Sequence, residues 1–358
     1  MAEHDITGRL QQSVREALRE PPPGGLHIRG GNTRSGLLAT RRGAGAATTL
    51  DTGGHSGVIL YQPDELVLRA RAGTSLAELD GLLADHAQQF AAEIPRPATG
   101  STLGGAVACG WDGPARPYGM SLRDTVLGCS MVNGRGDLVS FGGQVMKNVA
   151  GYDLARMQVG ALGTLGVLLD VSLRLAPRPE YSATRVLELP AADLPGWWQM
   201  AGLLRPLLRG TCYMEGRLYL RLSGRRAAVE KVLPTIGGED GAFDWESLGN
   251  LRLPFFCAER LACVYLPPHT DFHADAGGAL VEWEGARVWV RDGDHGALQR
   301  QARELGGFVR VLRGPAVEPG VNTGDWQRRI REAFDPAGLF NRATYETHFR
   351  CPERPPCR

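Results

Sequence analysis

Lysine is nearly absent from this chain. Only Lys147 and Lys231 occur in 358 residues, and arginine serves almost everywhere else. A lysine kept at 147 marks a position where a compact ammonium is wanted. Long apolar runs are missing too. None approaches the roughly 20 residues that span a bilayer. The best candidate, Ala161 to Leu169, holds two glycines and stops at Asp170, which excludes direct membrane insertion. The opening residues, with Glu3, His4 and Asp5, carry no basic-then-apolar signal pattern. A cytoplasmic location is expected, with any contact with the inner face of the membrane made through partners.

The seven cysteines are scattered and form no CxxC, which argues against a disulfide framework and against an iron–sulfur cluster held by this chain alone. Neither GxGxxG nor a GxxxxGK phosphate loop is present. The formal net charge is only +1, so no overall field favours nucleic acid or acidic membrane. Of eight histidines only His269 and His273 lie close, in PPHTDFHADAGG. The prolines and glycines make that segment a loop, and Asp271 and Asp275 make it a solvated one. No metal site is expected.

Apolar residues at 43% and charged residues at 22% describe a globular chain, long enough for two or three domains. Glycine is the excess: 48 residues, about 13% against an average near 7%. The periodicity predicts a helix over 7–20, a short strand at 26–28, a strand at 65–72 and a helix opened by Ser75 with capping-box spacing to Glu78. A strand pair is expected at 126–132 and 138–140, joined by Asn133-Gly134-Arg135-Gly136. A further strand follows at 165–175. Pro177 and Pro179 mark the domain boundary. Beyond it, strands at 218–222 and 286–290 alternate with helices at 225–232 and 297–305. Phe255, Phe256 and Cys257 read as core strand, and the tryptophans, six of the seven in this half, read mostly as core. A helix at 326–334 and a turn at 335–342 close the chain.

Four segments carry candidate chemistry. Arg29-Gly30-Gly31-Asn32-Thr33-Arg34-Ser35-Gly36 follows a short strand, and its glycines let backbone N–H groups converge into an anion nest. A plain glycine turn is the competing reading. Thr99-Gly100-Ser101-Thr102-Leu103-Gly104-Gly105-Ala106 interleaves hydroxyls with glycines; it suits phosphate oxygens or a tight turn between packed elements. Cys109, just beyond, reads as a small buried thiol. Ser121-Leu122-Arg123-Asp124 reads as a ligand contact or a surface ion pair. Lys147-Asn148-Val149-Ala150-Gly151-Tyr152-Asp153-Leu154 leads to Gly163-Thr164-Leu165-Gly166-Val167, whose glycines allow a flat ring close to backbone.

No segment decides alone; their order and spacing do. The succession resembles the FAD-binding domain of the vanillyl-alcohol oxidase / PCMH-type flavoprotein family. Within it, KNVAGYDLARMQVGALGTLGV and GGAVACGWDGPARPYGMSLRDTVLG are similar to the glycolate oxidase E-subunit family, the FAD-binding subunits of bacterial glycolate dehydrogenase. The ending FDPAGLFN matches that family's C-terminal signature. The resemblance implies an α+β fold. A two-lobed FAD-binding domain spans residues 1–179, with lobes 1–62 and 63–179. A mixed α/β cap with an antiparallel sheet spans 180–325, and segment 326–358 returns to the FAD domain. It implies FAD contacts at Arg29, Gly30, Gly31, Asn32, Thr33 and Arg34, at Thr102, Gly104 and Gly105, at Ser121 and Asp124, and at Gly166 and Val167. Lys147 and Tyr152 are implied near the flavin. Asn32 stands where many relatives carry a flavin-attaching histidine, so the FAD is expected to be non-covalent.

The resemblance further implies a multi-subunit glycolate dehydrogenase. A flavoprotein D-type subunit oxidises glycolate, an iron–sulfur F-type subunit passes electrons on, and this chain serves in electron relay or assembly. No catalytic residue is assigned here, because the histidine cluster of 2-hydroxy-acid-oxidising relatives is missing. A self-sufficient 2-hydroxy-acid dehydrogenase of lactate type, a scaffold with a vestigial flavin site and a UDP-sugar enolpyruvyl reductase remain the alternatives.

Overall fold

A computed structural model describes residues 4–35, 46–143, 153–270, 272, 278–317 and 325–349. Helix α1 (Thr7–Arg19) buries Leu10, Val14 and Ala17 on one face. That face packs beside strands β1 (Leu26–Arg29) and β2 (Thr48–Asp51), which pair in parallel.

The next elements build one antiparallel sheet. They are β3 (Val58–Gln62), β4 (Val67–Arg71), α2 (Leu76–Ala84), β5 (Gln88–Phe90), α3 (Leu103–Cys109), α4 (Leu122–Thr125), β6 (Val126–Val132), β7 (Leu138–Gly142) and β8 (Val167–Pro177). The order is β3-β4-β8-β6-β7, with β5 pairing the far end of β8. The centre belongs to β8 because its residues 167–173 are all buried, as a strand covered on both faces requires. Ser75 closes the expected capping box with Glu78 at the start of α2. Between β6 and β7, Asn133 Oδ1 accepts from the N–H groups of Arg135 and Asp137, at 2.9 and 3.0 Å, and so fixes the turn.

Past Pro179 an eight-stranded antiparallel sheet begins. It comprises β9 (Tyr181–Glu188), β10 (Leu208–Met214), β11 (Arg217–Gly224), β12 (Glu239–Asp240), β13 (Leu261–Tyr265), β14 (Ala279–Glu282), β15 (Arg287–Arg291) and β16 (Phe308–Arg313). The order is β12-β9-β11-β10-β14-β15-β13-β16. Helices α5 (Leu194–Ala201), α6 (Arg226–Ile236), α7 (Trp245–Gly249) and α8 (His295–Glu304) accompany it. The architecture is α+β, as expected. Among the described residues, no helix is long and apolar enough to cross a membrane.

One local expectation fails. Residues 254–257 form a short 3-10 turn rather than a core strand, because Pro254 lacks an N–H and presets a helical φ at the turn's first position. Phe255 and Phe256 are still buried, while Cys257 is exposed. The tryptophans of this half are mostly core, as expected, with Trp197, Trp198, Trp245 and Trp289 buried, and Trp326, the first residue of α9 (Trp326–Phe334), is the exception at 67% exposed.

Polar contacts join the second sheet to the first half of the chain. Arg287 Nη1 donates to the Asp112 carbonyl at 2.7 Å, and Trp283 Nε1 to the Gly113 carbonyl at 3.2 Å. Arg221 grips Glu93 with two bonds of 2.9 and 2.7 Å. Within the second sheet, the fully buried Glu282 carboxylate accepts two bonds from Arg287, at 2.9 and 3.1 Å, and one from Trp289 Nε1 at 2.6 Å. After α9, Asp335 holds the N–H groups of Leu339 and Phe340 at 2.8 and 2.9 Å. The segment then lies along β1, where Leu26 N–H donates to the Leu339 carbonyl and Asn341 N–H to the Leu26 carbonyl, both at 2.8 Å. Helix α10 (Arg342–His348) follows.

Candidate functional site

A cavity of about 490 Å³ opens where the loop after β1, the start of α3, the entry to β8 and the Asn341 turn converge. Arg29, Gly30, Gly31, Asn32, Thr33 and Arg34 all line it. So do Thr102, Gly104, Gly105 and Gly166. Four segments separated by scores of residues thus meet around one space.

Close approach explains the glycines. A Cβ on Gly31 would fall onto the Gly100 carbonyl oxygen, and one on Gly104 would meet the Ala72 Cβ at 2.7 Å. Gly104 N–H donates to the Ala72 carbonyl at 2.7 Å, which seats α3 against the end of β4. Thr33 and Ser101 share a hydroxyl bond of 2.9 Å that ties the first loop to the second. Thr102 caps α3 by accepting from Gly105 N–H at 3.3 Å.

Arg34 is the charged member of the cradle, and it is only 6% exposed. One Nη donates to the Pro95 carbonyl, and Nε has no partner. Among the described residues no carboxylate pairs with it. Burial lowers its pKa, a sign of an uncompensated charge. A buried guanidinium facing a glycine-lined cavity asks for an anion. Gln158, 3% exposed, also lines the cavity and leaves its Nε2 donor unpaired. The cradle that added Cβ atoms would fill and these unpaired donors fit a large ligand carrying pyrophosphate and a flat ring, as FAD does. Replacing Arg34 with Met should weaken FAD binding by about 2–3 kcal/mol, the worth of hydrogen bonds to a charged group. Titrating apoprotein with FAD and following flavin fluorescence measures that loss directly.

The remaining sequence candidates lie elsewhere. Ser121 and Asp124 do not line the cavity. They form a capping box on α4: Asp124 N–H donates to Ser121 Oγ at 3.1 Å, and Ser121 Oγ donates to the Asp124 carboxylate at 2.6 Å. Those bonds hold the Asp124 carboxyl below its usual range. Val167 is fully buried in the α1–β1 core, while its neighbours Gly166 and Leu168 reach the cavity. Lys147 and Tyr152 lie outside the described residues.

Asn341 was not a sequence candidate. Its Oδ1 accepts from Ile28 N–H at 2.9 Å, and its Nδ2 donates to the Leu162 carbonyl at 2.7 Å. It thereby staples the cavity's floor to its far wall. Its only signal was its place at the end of FDPAGLFN. Gln158 stood inside the segment carrying the resemblance, but no motif marked it.

Cys109 meets the cavity as a thiol and packs with residues of the second sheet. Burial pushes its pKa up, against the opposing pull of Arg34 and Arg310. Near Arg310, His348 is pushed down to about 4, first by burial and then by that guanidinium. It is therefore neutral in the folded protein at neutral pH. As pH falls below about 6.5 the unfolded chain takes up this proton first, so His348 removes stability down to about pH 4 and no further. His348→Gln should flatten the urea stability-versus-pH curve within that window. His269 Nε2 is 3.0 Å from the Glu284 carboxylate, which Arg205 also contacts at 3.1 Å. His273 lies outside the described residues.

The FAD binding domain family matches residues 7–142. Glycolate oxidase subunit GlcE of Escherichia coli K12 is 35% identical over 95% of this chain and 97% of its own. Glycolate oxidase subunit GlcD of Bacillus subtilis 168 is 45% identical over 19% of this chain and 14% of its own. Among solved structures, an alkyldihydroxyacetonephosphate synthase superposes with a TM-score of 0.64 at 11% identity, covering 94% of this chain and 74% of that one, a likeness of fold alone.

Proposed function

The chain belongs to the glycolate oxidase E-subunit family of FAD-binding oxidoreductases, and from that premise we propose that it holds dissociable FAD within a multi-subunit glycolate dehydrogenase. The observation that carries the cofactor assignment is Arg34, a buried cation without a carboxylate partner among the described residues, turned into a glycine cradle. In this reading residues 1–179 form the FAD-binding domain, 180–325 the cap, and 326–358 the segment that returns to it. FAD supplies electron-carrier chemistry when bound. The chain's own residues bind and orient it. Arg34 and the Arg29–Thr33 backbone hold pyrophosphate. Gln158 Nε2 and the backbone near Gly166 meet the ring system. Ser121 and Asp124 act at one remove, by shaping the turn before β6, and Lys147 is kept as a near-flavin candidate.

Substrate oxidation falls to a D-type flavoprotein subunit, and this chain relays electrons or supports assembly. An F-type iron–sulfur subunit is the onward acceptor, and any membrane contact comes through these partners. In support, the described lining offers no carboxylate and a single histidine, the exposed His27. The test adds glycolate without oxygen to the purified chain while its flavin bands are recorded. Bands that persist, then bleach when the D-type subunit is added, support the relay. Bands that bleach with glycolate alone would make this chain a complete dehydrogenase and overturn it.

A further inference from the structure

Behind the cradle lies a second, larger space. A groove of about 1,120 Å³ runs between the tail of β8 and the β10–β11 side of the cap. It shares no lining residue with the FAD cavity. Segment 90–96 separates the two: the Pro95 carbonyl holds Arg34 in the cradle, while Phe90, Ala92, Ile94 and Pro95 also line the groove.

The charges in this groove do not balance. Its four carboxylates are already engaged. Asp80 pairs with Arg96 and Glu93 with Arg221; Glu246 pairs with Arg252, and Glu180 accepts from Arg226 N–H at 3.2 Å. Four arginines form no ion pair among the described residues, although Arg178 also acts on Asp80 from a longer distance. Arg174 and Arg178 stand on the β8 wall, and Arg209 and Arg225 on the cap wall. Arg209 is half-buried, and its side chain donates to the neighbouring Leu208 carbonyl at 2.7 Å. Burial and the nearby Arg221 both work against its charge. Gathering unpaired like charges in a concave site costs energy that a bound anion recovers.

We propose that this groove docks an extended, carboxylate-rich segment of a partner polypeptide, with its carboxylates on the four arginines. A polypeptide fits better than a small free anion. The guanidiniums are shared between two facing walls, and the space is more than twice that of the FAD cavity. The proposal rests on the multi-subunit reading given above. It adds a contact surface to that reading, on the far side of the segment that holds Arg34.

The test uses the full-length FAD-loaded chain and a fluorescein-labelled peptide of about ten residues alternating Glu and Leu, read by anisotropy. The expected result is saturable binding that weakens with salt and by at least about tenfold in an Arg209→Gln/Arg225→Gln double variant. An Arg174→Gln/Arg178→Gln double variant, altered only on exposed side chains, should weaken it as well. A matching Lys and Leu peptide should not bind. Absence of binding, unchanged affinity in both variants, or full displacement by inorganic phosphate at millimolar concentration would overturn the proposal. Failure of the peptide while the D-type subunit still captures the chain would overturn the groove assignment and leave the complex standing.

Discussion

Gly31→Asp should strip FAD from the protein while leaving it folded. Two effects add. Any Cβ at Gly31 meets the Gly100 carbonyl oxygen, a backbone atom that a side-chain rotation cannot move aside. The carboxylate then stands in the loop assigned to pyrophosphate, and like charges so placed cost several kcal/mol, about two to three orders of magnitude in Kd. Gly31→Ala carries the clash without the charge, so its loss should be intermediate. Flavin absorbance of the purified variants, with circular dichroism as the check on folding, measures both. Full FAD occupancy in Gly31→Asp would remove the nest from the account.

Arg287→Met should produce the largest loss of stability. Glu282 is fully buried, and its carboxylate is held by Arg287 and Trp289 alone among the described residues. Burial opposes the Arg287 charge most, but Glu282, Tyr265 and Cys263 together outweigh it and the guanidinium pKa rises. Removing one partner of a buried pair typically costs about 3–5 kcal/mol, because the other charge is stranded. Arg287 also bonds the Asp112 carbonyl, so the variant loosens the junction between the second sheet and the first half of the chain. Urea melts should show the loss, and a Glu282→Gln/Arg287→Met double variant should recover part of it. A single-variant loss below about 1 kcal/mol would mean that the pair is dispensable.

Local rules made much of the FAD half legible. The Ser75–Glu78 capping box, the Asn133–Gly136 turn and the buried face of α1 each follow from short-range patterns, and each forms as expected. The glycine loops were legible as a cradle because glycine and hydroxyl residues alternate where backbone must approach backbone. What escaped was long-range or chemically ambiguous. Asn341 reaches Ile28 across 313 residues, and no local pattern encodes that contact. Gln158 matters because its amide is buried without a partner, which composition does not reveal. Ser121 and Asp124 show the ambiguity. A hydroxyl and a carboxylate three residues apart suit a ligand contact and a helix cap equally well, and here they cap. The Phe255–Cys257 run was too short to separate strand from turn, and Pro254 decided it.

The most direct test of the central claim is equilibrium binding of FAD, FMN and riboflavin to apoprotein, read by flavin fluorescence. A cradle anchored on pyrophosphate by Arg34 and the Gly30–Gly31 loop predicts one FAD per chain, released intact by acid. It predicts binding weaker by at least about two orders of magnitude for riboflavin, which lacks the phosphates. Equal affinity for FAD and riboflavin, or flavin that stays covalently attached after acid precipitation, would contradict the account.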